Sequence, residues 1–520
     1  MTDLTLNHWI VAPIILPALL APIIVLAMRH DLFLQRVFSI AGTLALLAIA
    51  IGLTVQAAGG PPQSYELGNW DAPFGIVMVL DRLSALMVLL TGVLALVVVS
   101  YATASGWDRR GRHFHALFQF QLMGVCGAFL TGDLFNLFVF FEVLLIASYG
   151  LMLHGGGAKR TRAGVQYVAV NLVGSTLFLI AVGALYGVTG TLNMADMAVR
   201  AAQVPAADQA IFQTAGVLLL IVFAIKAATV PVQFWLPGAY ANAPGPVAAL
   251  FAIMTKVGAY AILRVYTLVF GAAAGDAAWL AADWLLPAAL ITLAVGMVGV
   301  LGAKGLVRLV CFAVIGSMGT LMIAIALFTP QATTAALYYL LHSTFAAAAL
   351  FLLVDQVVAR RRAAGDRIET APRFLHLGLF AALFFAGAIG MAGMPPLSGF
   401  VGKLLVLDAA AAVPQMGLIW AVVLITSLIC IVGFARAGST IFWKADSLAP
   451  PSDQDQRAAA PSQPAPSLAV GAVSAMVVGM AALTLFAGPI TGYLDATAAQ
   501  LYEPAGYIRA VLGPDALAGR

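Results

Sequence analysis

Charged side chains are scarce in this sequence. Asp, Glu, Lys and Arg together make up only 9% of its 520 residues, whereas a soluble globular domain usually carries about 25%. Hydrophobic residues make up 62%, and the mean hydropathy is +0.99. A water-soluble fold cannot bury that much apolar surface, so the composition excludes one and indicates a protein solvated by lipid.

Cysteine is almost absent as well. Cys126, Cys311 and Cys430 each lie within an apolar stretch, and their spacing matches neither a disulfide framework nor a metal or iron–sulfur site. We interpret them as small hydrophobic residues, and we expect no metal and no cofactor. The first apolar run has no basic segment before it and no cleavage pattern after it, so we expect it to remain as a helix.

Long apolar runs are what the sequence does contain. A run of about 20 residues can cross the roughly 30 Å of hydrocarbon in a bilayer as one helix, and fourteen such runs occur. They are centred near residues 18, 46, 92, 122, 143, 176, 224, 256, 290, 318, 345, 393, 429 and 480. The pattern predicts an all-α membrane protein with about 14 transmembrane helices.

The loops between these runs differ sharply in positive charge. If the amino terminus lies outside the cell, the odd-numbered loops face the cytoplasm and contain 17 lysines and arginines. The even-numbered loops then contain only Arg200 and Arg264. Cytoplasmic loops are enriched in Lys and Arg, so the distribution predicts a multi-pass protein of the bacterial cytoplasmic (inner) membrane with both termini periplasmic.

Four charged residues fall inside the apolar runs, far from any loop: Glu142, Lys226, Lys256 and Lys403. A charge at the bilayer centre costs about 2.5–3.5 kcal/mol on insertion scales and usually marks an ion or proton pathway. Burial and a nearby carboxylate have opposite effects on the proton affinity of a lysine, so small movements can switch its charge. We interpret these residues as a proton relay. An inert ion pair that fixes helix packing is the alternative for Glu142 with Lys226.

Two of the lysines stand beside helix-breaking residues. The expected breaking residues are Pro231 and Pro237 after Lys226, and Pro395, Pro396 and Gly399 before Lys403. Unpaired backbone at membrane depth is tolerated only beside protein or water. By the loop assignment the two helices run in opposite directions, which is typical of inverted repeats with ion sites at the breaks.

Three further polar residues have two interpretations each. His342 lies in an apolar helix beside Ser343 and Thr344, so it is either a hydrogen-bonded core residue or a relay group that titrates near neutrality. Asp133 and Asn136 place oxygen atoms on one helical face, and they are either a polar helix start or possible ligands for a cation or water.

Several motifs are similar to those of a known family. The segment Thr131–Glu142 (TGDLFNLFVFFE) resembles the fifth-helix signature of the D-type subunit of the multisubunit Mrp/Pha cation/proton antiporters. Ala243–Leu250 with Thr255–Tyr260 resembles their seventh-to-eighth-helix region, and Gly393–Lys403 (GMPPLSGFVGK) resembles their twelfth-helix signature. Tyr507–Gly513 resembles the end of the same D-type protein, so the likeness covers nearly the whole chain.

The resemblance implies a fold with two inverted five-helix repeats that contain broken helices, and a role for each relay residue. Glu142 corresponds to the glutamate of the fifth helix and Lys226 to the lysine that pairs with it. Lys256 corresponds to the central lysine of helix eight, His342 to the histidine of helix eleven, and Lys403 to the proton-exit lysine of helix twelve. The implied divisions are residues 1–112 (helices 1–3), 113–270 (first repeat), 271–444 (second repeat), and 445–520 (polar loop, last helix and an amphipathic tail on the membrane surface).

The resemblance also implies a function. Relatives in this family are transporter subunits rather than enzymes; they exchange protons for sodium or potassium and act only in a hetero-oligomer with other membrane subunits. A different class remains open, because the wider family includes proton-pumping subunits of complex I and of membrane-bound hydrogenases. A purely structural scaffold is the third alternative, and the sequence does not distinguish sodium from potassium.

Two departures from the family pattern lie in the middle of the expected pathway. Many relatives have a lysine about one turn after the histidine of helix eleven, where this chain has Phe345–Ala349. Relatives also often have a polar stretch in helix ten, where residues 305–314 here are largely apolar. Both changes remove polar groups between Lys256 and Lys403, so we expect water near His342 to bridge the gap.

Overall fold

The computed structural model of the protein describes residues 7–447 and 466–517. The helices up to the first break are α1 (Ala12–Ala27), α2 (Leu32–Gly59), α3 (Arg82–Ser105), α4 (Phe114–Leu130), α5 (Leu134–Met152), α6 (Ala158–Thr189), α7 (Met194–Ala201) and α8 (Gln209–Ala227). Those up to the second break are α9 (Trp235–Tyr240), α10 (Gly245–Leu250), α11 (Ala252–Leu268), α12 (Ala282–Gly302), α13 (Leu306–Ala326), α14 (Pro330–Arg360) and α15 (Leu377–Ala392). The remainder are α16 (Ser398–Ala410), α17 (Met416–Gly438), α18 (Ser467–Leu485), α19 (Ala487–Tyr502) and α20 (Ala505–Leu512).

The predicted all-α class is confirmed. Among the described residues, eleven helices are long and apolar enough to cross a membrane. Three shorter apolar helices, α1, α4 and α15, lie at the remaining predicted positions. The number of fourteen crossings and the division into two inverted repeats remain predictions.

The helices differ in how deeply they are buried. Every residue of α11 from Ala252 to Leu268 is buried, and nearly all of α13 and α14 is buried with it. By contrast, α2, α17 and α18 expose most of their apolar surface, as helices in contact with lipid do. Polar side chains on α11, α13 and α14 therefore lie in the interior of the protein, where only protein or water can satisfy them.

A small β-hairpin precedes α3 and was not predicted. β1 (Gln63–Glu66) pairs antiparallel with β2 (Val77–Leu80). A search for runs of about 20 apolar residues does not detect strands of four residues. The hairpin fixes the start of α5, because the backbone N–H of Gly132 donates to the carbonyl of Val77 at 2.9 Å.

The described part of the carboxyl-terminal tail packs against the protein, and its position at the membrane surface remains a prediction. In α20, the side chains of Tyr507, Ile508 and Val511 are buried against the protein, and the hydroxyl of Ser64 in β1 donates to the carbonyl of Ala510 at 2.7 Å. The apolar face of the tail is therefore used for packing. Most of the polar loop expected before the last helix, residues 448–465, lies outside the described residues.

Both expected helix breaks are present. The first separates α8 from α9 and contains Pro231, while Pro237 lies in the first turn of α9. Proline is tolerated there because first-turn N–H groups have no partner within the helix. The second separates α15 from α16 and contains Pro395 and Pro396, while Gly399 is the second residue of α16. Pro237 and Gly399 thus follow the breaks rather than form them.

Gly399 is where α16 makes its closest approach to its neighbours. A Cβ atom at this position would lie 1.9 Å from the carbonyl oxygen of Gly390 and 2.9 Å from the ring of His342. The glycine therefore allows the two halves of the broken helix and the histidine of α14 to meet.

We expect Gly399→Ala to destabilise the protein strongly, because overpacking costs about 1–3 kcal/mol and a clash with a backbone carbonyl is hard to relieve. Thermal unfolding of the detergent-solubilised protein measures the effect. Gly378→Ala in α15 is the matched control, since nothing lies within 4 Å of a Cβ there. Equal melting temperatures for the two variants would contradict the close approach at Gly399.

Candidate functional site

Lys226 lies in the last turn of α8, just before the first break. Its side chain is buried, and its Nζ donates a hydrogen bond to Oδ1 of Asn171 on α6 at 3.0 Å. The ring of Phe141 lies 5.8 Å from the same nitrogen. The break is itself stabilised locally, since the indole N–H of Trp235 donates to the carbonyl of Ile225 at 2.9 Å.

Glu142 lies on α5, half-buried, and accepts a hydrogen bond from the hydroxyl of Ser175 on α6. The ion pairs found among the described residues do not include one between Glu142 and Lys226. The two groups nevertheless lie close enough to interact electrostatically, so the expected pairing acts over a longer distance than an ion pair. Asn171 and Ser175 are four residues apart, so they lie on one face of α6 and connect the two charged groups through one helix.

The sequence interpretation missed Asn171 and Ser175. Both are buried, although α6 as a whole is apolar. Two polar residues four positions apart within an apolar helix were the signal in the sequence from which these two residues could have been found. Their partners could not be read from the sequence, because those partners lie on other helices 33 and 55 residues away.

Lys256 lies on α11, the helix in which every residue is buried. It lies in the second turn of α11 and its residue is fully buried. Its Nζ has no hydrogen-bond partner within the described part of the chain. A charged lysine has three donors to satisfy, so this position requires water whenever the group carries its proton.

His342 lies on α14 between the two lysines that flank it. Its Nδ1 is 2.9 Å from the hydroxyl oxygen of Ser398, the first residue of α16. Its Nε2 has no hydrogen-bond partner in the described residues. Lys256 and Lys403 are both close enough to act electrostatically on the ring. One nitrogen is thus fixed by α16. The other lies near the carbonyl of Gly390 without a well-formed hydrogen bond to it, so it can also interact with water.

Lys403 lies on α16, after the second break. Its Nζ donates to the carbonyl of Ala392 at 2.7 Å and to the hydroxyl of Ser427 on α17 at 2.8 Å. Ala392 is the last residue of α15, so the interruption of the helix supplies the free carbonyl that holds the lysine. This explains in physical terms why the lysine stands beside a break.

Asp133 and Asn136 form the start of α5. The backbone N–H of Asn136 donates to Oδ1 of Asp133 at 2.7 Å, and its side-chain amide donates to the hydroxyl of Thr131 at 2.9 Å. Burial raises the pKa of Asp133 to about 6. These are the contacts of a helix N-cap, so the geometry favours a polar helix start over a cation site.

A second buried charge cluster joins distant parts of the chain. Asp81 caps the start of α3, and its Oδ2 lies 2.6 Å from Nη2 of Arg264 on α11. The ring of Tyr507 covers the guanidinium at 5.1 Å. Arg264 was assigned to a loop, and this is wrong. The neighbouring Arg82 instead donates from Nη2 to the carbonyl of Ala58 at 2.5 Å.

The fold and these contacts together define a class of protein. Buried lysines beside interrupted helices, in a molecule of many apolar helices, are the construction found in membrane proteins that translocate ions. Comparison with known families agrees: residues 131–430 match the family described as NADH:quinone oxidoreductase/Mrp antiporter, transmembrane.

Individual relatives match over nearly the full length. The chain is 39% identical to the D-type subunit of a "Probable K(+)/H(+) antiporter" from Rhizobium meliloti (strain 1021), with 98% of each chain covered. It is 37% identical to the D-type subunit of a "Na(+)/H(+) antiporter" from Bacillus subtilis (strain 168), covering 98% of this chain and 100% of the relative. The chain belongs to the NADH:quinone oxidoreductase/Mrp antiporter family of membrane subunits, and the resemblance inferred from its motifs is confirmed.

Solved structures show the same fold. A chain of the Mrp complex from Dietzia sp. DQ12-45-1b superposes with a TM-score of 0.86 at 31% identity, covering 98% of this chain and 100% of that one. A chain of an archaeal membrane-bound sulfane sulfur reductase superposes with a TM-score of 0.87 at 24% identity, covering 97% and 100%. The second likeness concerns the fold alone.

Proposed function

We propose that this chain is the proton-carrying subunit of a multisubunit antiporter that exchanges protons for sodium or potassium across the bacterial cytoplasmic membrane. The observation that carries the proposal is the set of three lysines, Lys226, Lys256 and Lys403, all buried inside helices. The names of the relatives, which are K(+)/H(+) and Na(+)/H(+) antiporter subunits, support the choice of ions. The chain acts as a transporter subunit and not as an enzyme.

The proton path runs from Glu142 with Lys226, through Lys256 and His342, to Lys403. Side chains of α6 hold both groups in place, Ser175 at Glu142 and Asn171 at Lys226, and Glu142 acts electrostatically on the charge of Lys226. Lys403 releases its proton when it loses contact with Ala392 at the second break. In each case a small movement of a broken helix changes which partners a lysine has, and so changes its charge.

Topology and partners follow from the same proposal. Both termini lie on the periplasmic side, and the removal of Arg264 from the loops strengthens the charge asymmetry that supports this. The chain is organised as residues 1–112, two inverted repeats at 113–270 and 271–444, and a final segment 445–520. Other membrane subunits of the antiporter assemble with it.

The alternative is a proton-pumping arm of a redox complex. A chain of respiratory complex I from Thermus thermophilus has the same fold and superposes with a TM-score of 0.78. Sequence identity favours the antiporter, at 37–39% with antiporter subunits against 22% with the complex I chain.

Everted membrane vesicles that contain the complete complex distinguish an antiporter from a redox-driven proton pump. We expect addition of sodium or potassium to dissipate a preformed pH gradient, whereas proton pumping that requires an electron donor and is insensitive to the cation would contradict the antiporter.

We expect Asn171→Leu to impair transport, because the buried Nζ of Lys226 would lose its acceptor on α6. An unsatisfied buried charged group costs more than about 1–3 kcal/mol, so Lys226 should bind its proton less readily. The cation-induced pH change in vesicles measures the loss, at matched amounts of assembled complex. Thr176→Leu, at an exposed position of the same helix, is the control. Normal transport by Asn171→Leu would show that the link through α6 has no role.

A further inference from the structure

Four polar atoms in the interior have no hydrogen-bond partner in the described residues and belong to three helices that pack together. They are Nζ of Lys256 on α11, Oγ of Ser317 on α13, and Oη of Tyr339 and Nε2 of His342 on α14. All four residues are at most 1% exposed. Each unsatisfied buried group costs about 1–3 kcal/mol, so four in one region are more than packing alone explains.

Tyr339 lies beside two other members of this group. Its ring lies 5.6 Å from the ring of His342, centroid to centroid. Its hydroxyl lies near the hydroxyls of Ser317 and Thr320 on α13, but neither the phenol nor Oγ of Ser317 has a partner at the distance and angle of a well-formed hydrogen bond. Such a spacing, with donors and acceptors on both sides, is what a bound water bridges.

The backbone of α16 approaches the ring of Tyr339 closely at Gly402. A Cβ atom at Gly402 would lie 3.0 Å from Cδ2 of Tyr339, so the glycine gives the ring its place beside the helix that carries Lys403. Tyr339 therefore contacts α16, which carries the exit lysine, and faces α13, which packs against the helix of Lys256.

The neighbouring tyrosine shows what an ordinary structural phenol does here. Tyr338 is also buried, but its hydroxyl donates to the carbonyl of Leu483 at 2.9 Å and joins α14 to α18. Tyr339, one residue later in the chain, makes no such bond. The two side chains differ in the use of their hydroxyl groups and not in burial.

We propose that Tyr339, together with Ser317, carries the proton between Lys256 and His342 through bound water. This inference rests on the proposed function and deepens it. It also accounts for the departures seen in the sequence, because the hydroxyls of Tyr339 and Ser317 supply polar groups that residues 305–314 and 345–349 lack.

In this proton transfer each hydroxyl group gains one proton and loses one, so its charge does not change. Lys256 first gives a proton to water. The phenol oxygen of Tyr339 then accepts a proton from that water while its own hydroxyl proton leaves toward His342. His342 receives this second proton at Nε2. Tyr339 ends with the same number of protons as it began with, and Ser317 acts in the same way. The imidazolium formed transiently on His342 then loses a proton from Nδ1 toward Ser398 and α16.

The test uses the complete complex in everted vesicles and compares Tyr339→Phe with Tyr338→Phe. We expect Tyr339→Phe to lower the initial rate of cation-induced proton movement by about tenfold, less than the 10²–10⁴-fold typical of a lost acid–base group, since water replaces part of the path. Tyr338→Phe removes a bonded hydroxyl at the adjacent position and should keep most of the rate. The amount of assembled complex is measured for each variant.

Unchanged transport by Tyr339→Phe at normal assembly would overturn the inference. If Tyr339→Phe does not assemble, Ser317→Ala decides the matter, because it removes the other hydroxyl with a minimal change in volume: a reduced rate supports the inference and a normal rate overturns it. Lys403→Ala in parallel tests the proposed function separately. Loss of transport in that variant with normal transport in the hydroxyl variants would refute only the role of Tyr339.

Discussion

Replacing Lys403 is expected to abolish cation/proton exchange while the complex still assembles. The lysine is the last buried basic group on the proposed path, and its ammonium is held by Ala392 and Ser427. Loss of an acid–base group of this kind typically lowers a rate by about 10²–10⁴-fold. The measurement is the cation-induced pH change in everted vesicles, normalised to the amount of complex.

Two substitutions at this position separate a proton carrier from a structural charge. Lys403→Arg keeps a positive charge and several donors, but an arginine does not release its proton under physiological conditions, so we expect it to be as inactive as Lys403→Ala. Lys159→Ala, at an exposed lysine in the first turn of α6, is the control. Wild-type exchange by Lys403→Arg would contradict proton release from Lys403.

The largest effect on stability is expected at the pair formed by Asp81 and Arg264. Both side chains are buried, and removal of one partner leaves an uncompensated charge in the interior. Breaking a buried pair in this way costs about 3–5 kcal/mol, so Arg264→Met should lower the melting temperature of the purified complex markedly. A second change, Asp81→Leu, should restore part of the loss, because the remaining charge is then removed as well.

An exposed pair provides the control for that prediction. Nη2 of Arg367 lies 2.9 Å from Oε1 of Glu369 in the loop between α14 and α15, and the two side chains are 61% and 44% exposed. Exposed pairs contribute only about 0.2–1 kcal/mol, so Arg367→Met should hardly change the unfolding temperature. Equal shifts for Arg264→Met and Arg367→Met would show that burial does not strengthen the Asp81–Arg264 pair.

Much of this architecture could be predicted because lipid imposes a simple rule on sequence. An apolar run must form a helix, and a charge inside it must have a reason to be there. The positions of Lys226, Lys256 and Lys403, and of the two breaks beside the first and last of them, follow from that rule. The four-residue strands of the hairpin at residues 63–80 are too short to be detected in this way.

What the sequence did not reveal is which helices face each other. Asn171, Ser427 and Tyr339 are polar residues in apolar helices, and only the packing shows that the first two hold lysines and that the third lies near other polar groups. Arg264 was misassigned for the same reason. Its partner Asp81 is 183 residues away, so the sequence offered no reason for a charge near the end of an apolar run to be buried.

We propose that charged groups inside this chain carry protons, and Glu142→Gln removes the carboxyl group at which the path begins. The amide keeps the size of the carboxyl group and can still accept the hydrogen bond from Ser175, but it cannot take up a proton. The complete complex, purified and reconstituted into proteoliposomes, is given a sodium or potassium gradient, and the proton flux is measured. We predict that the variant assembles normally and loses the cation-dependent proton flux; a normal flux from a normally assembled complex would contradict the relay.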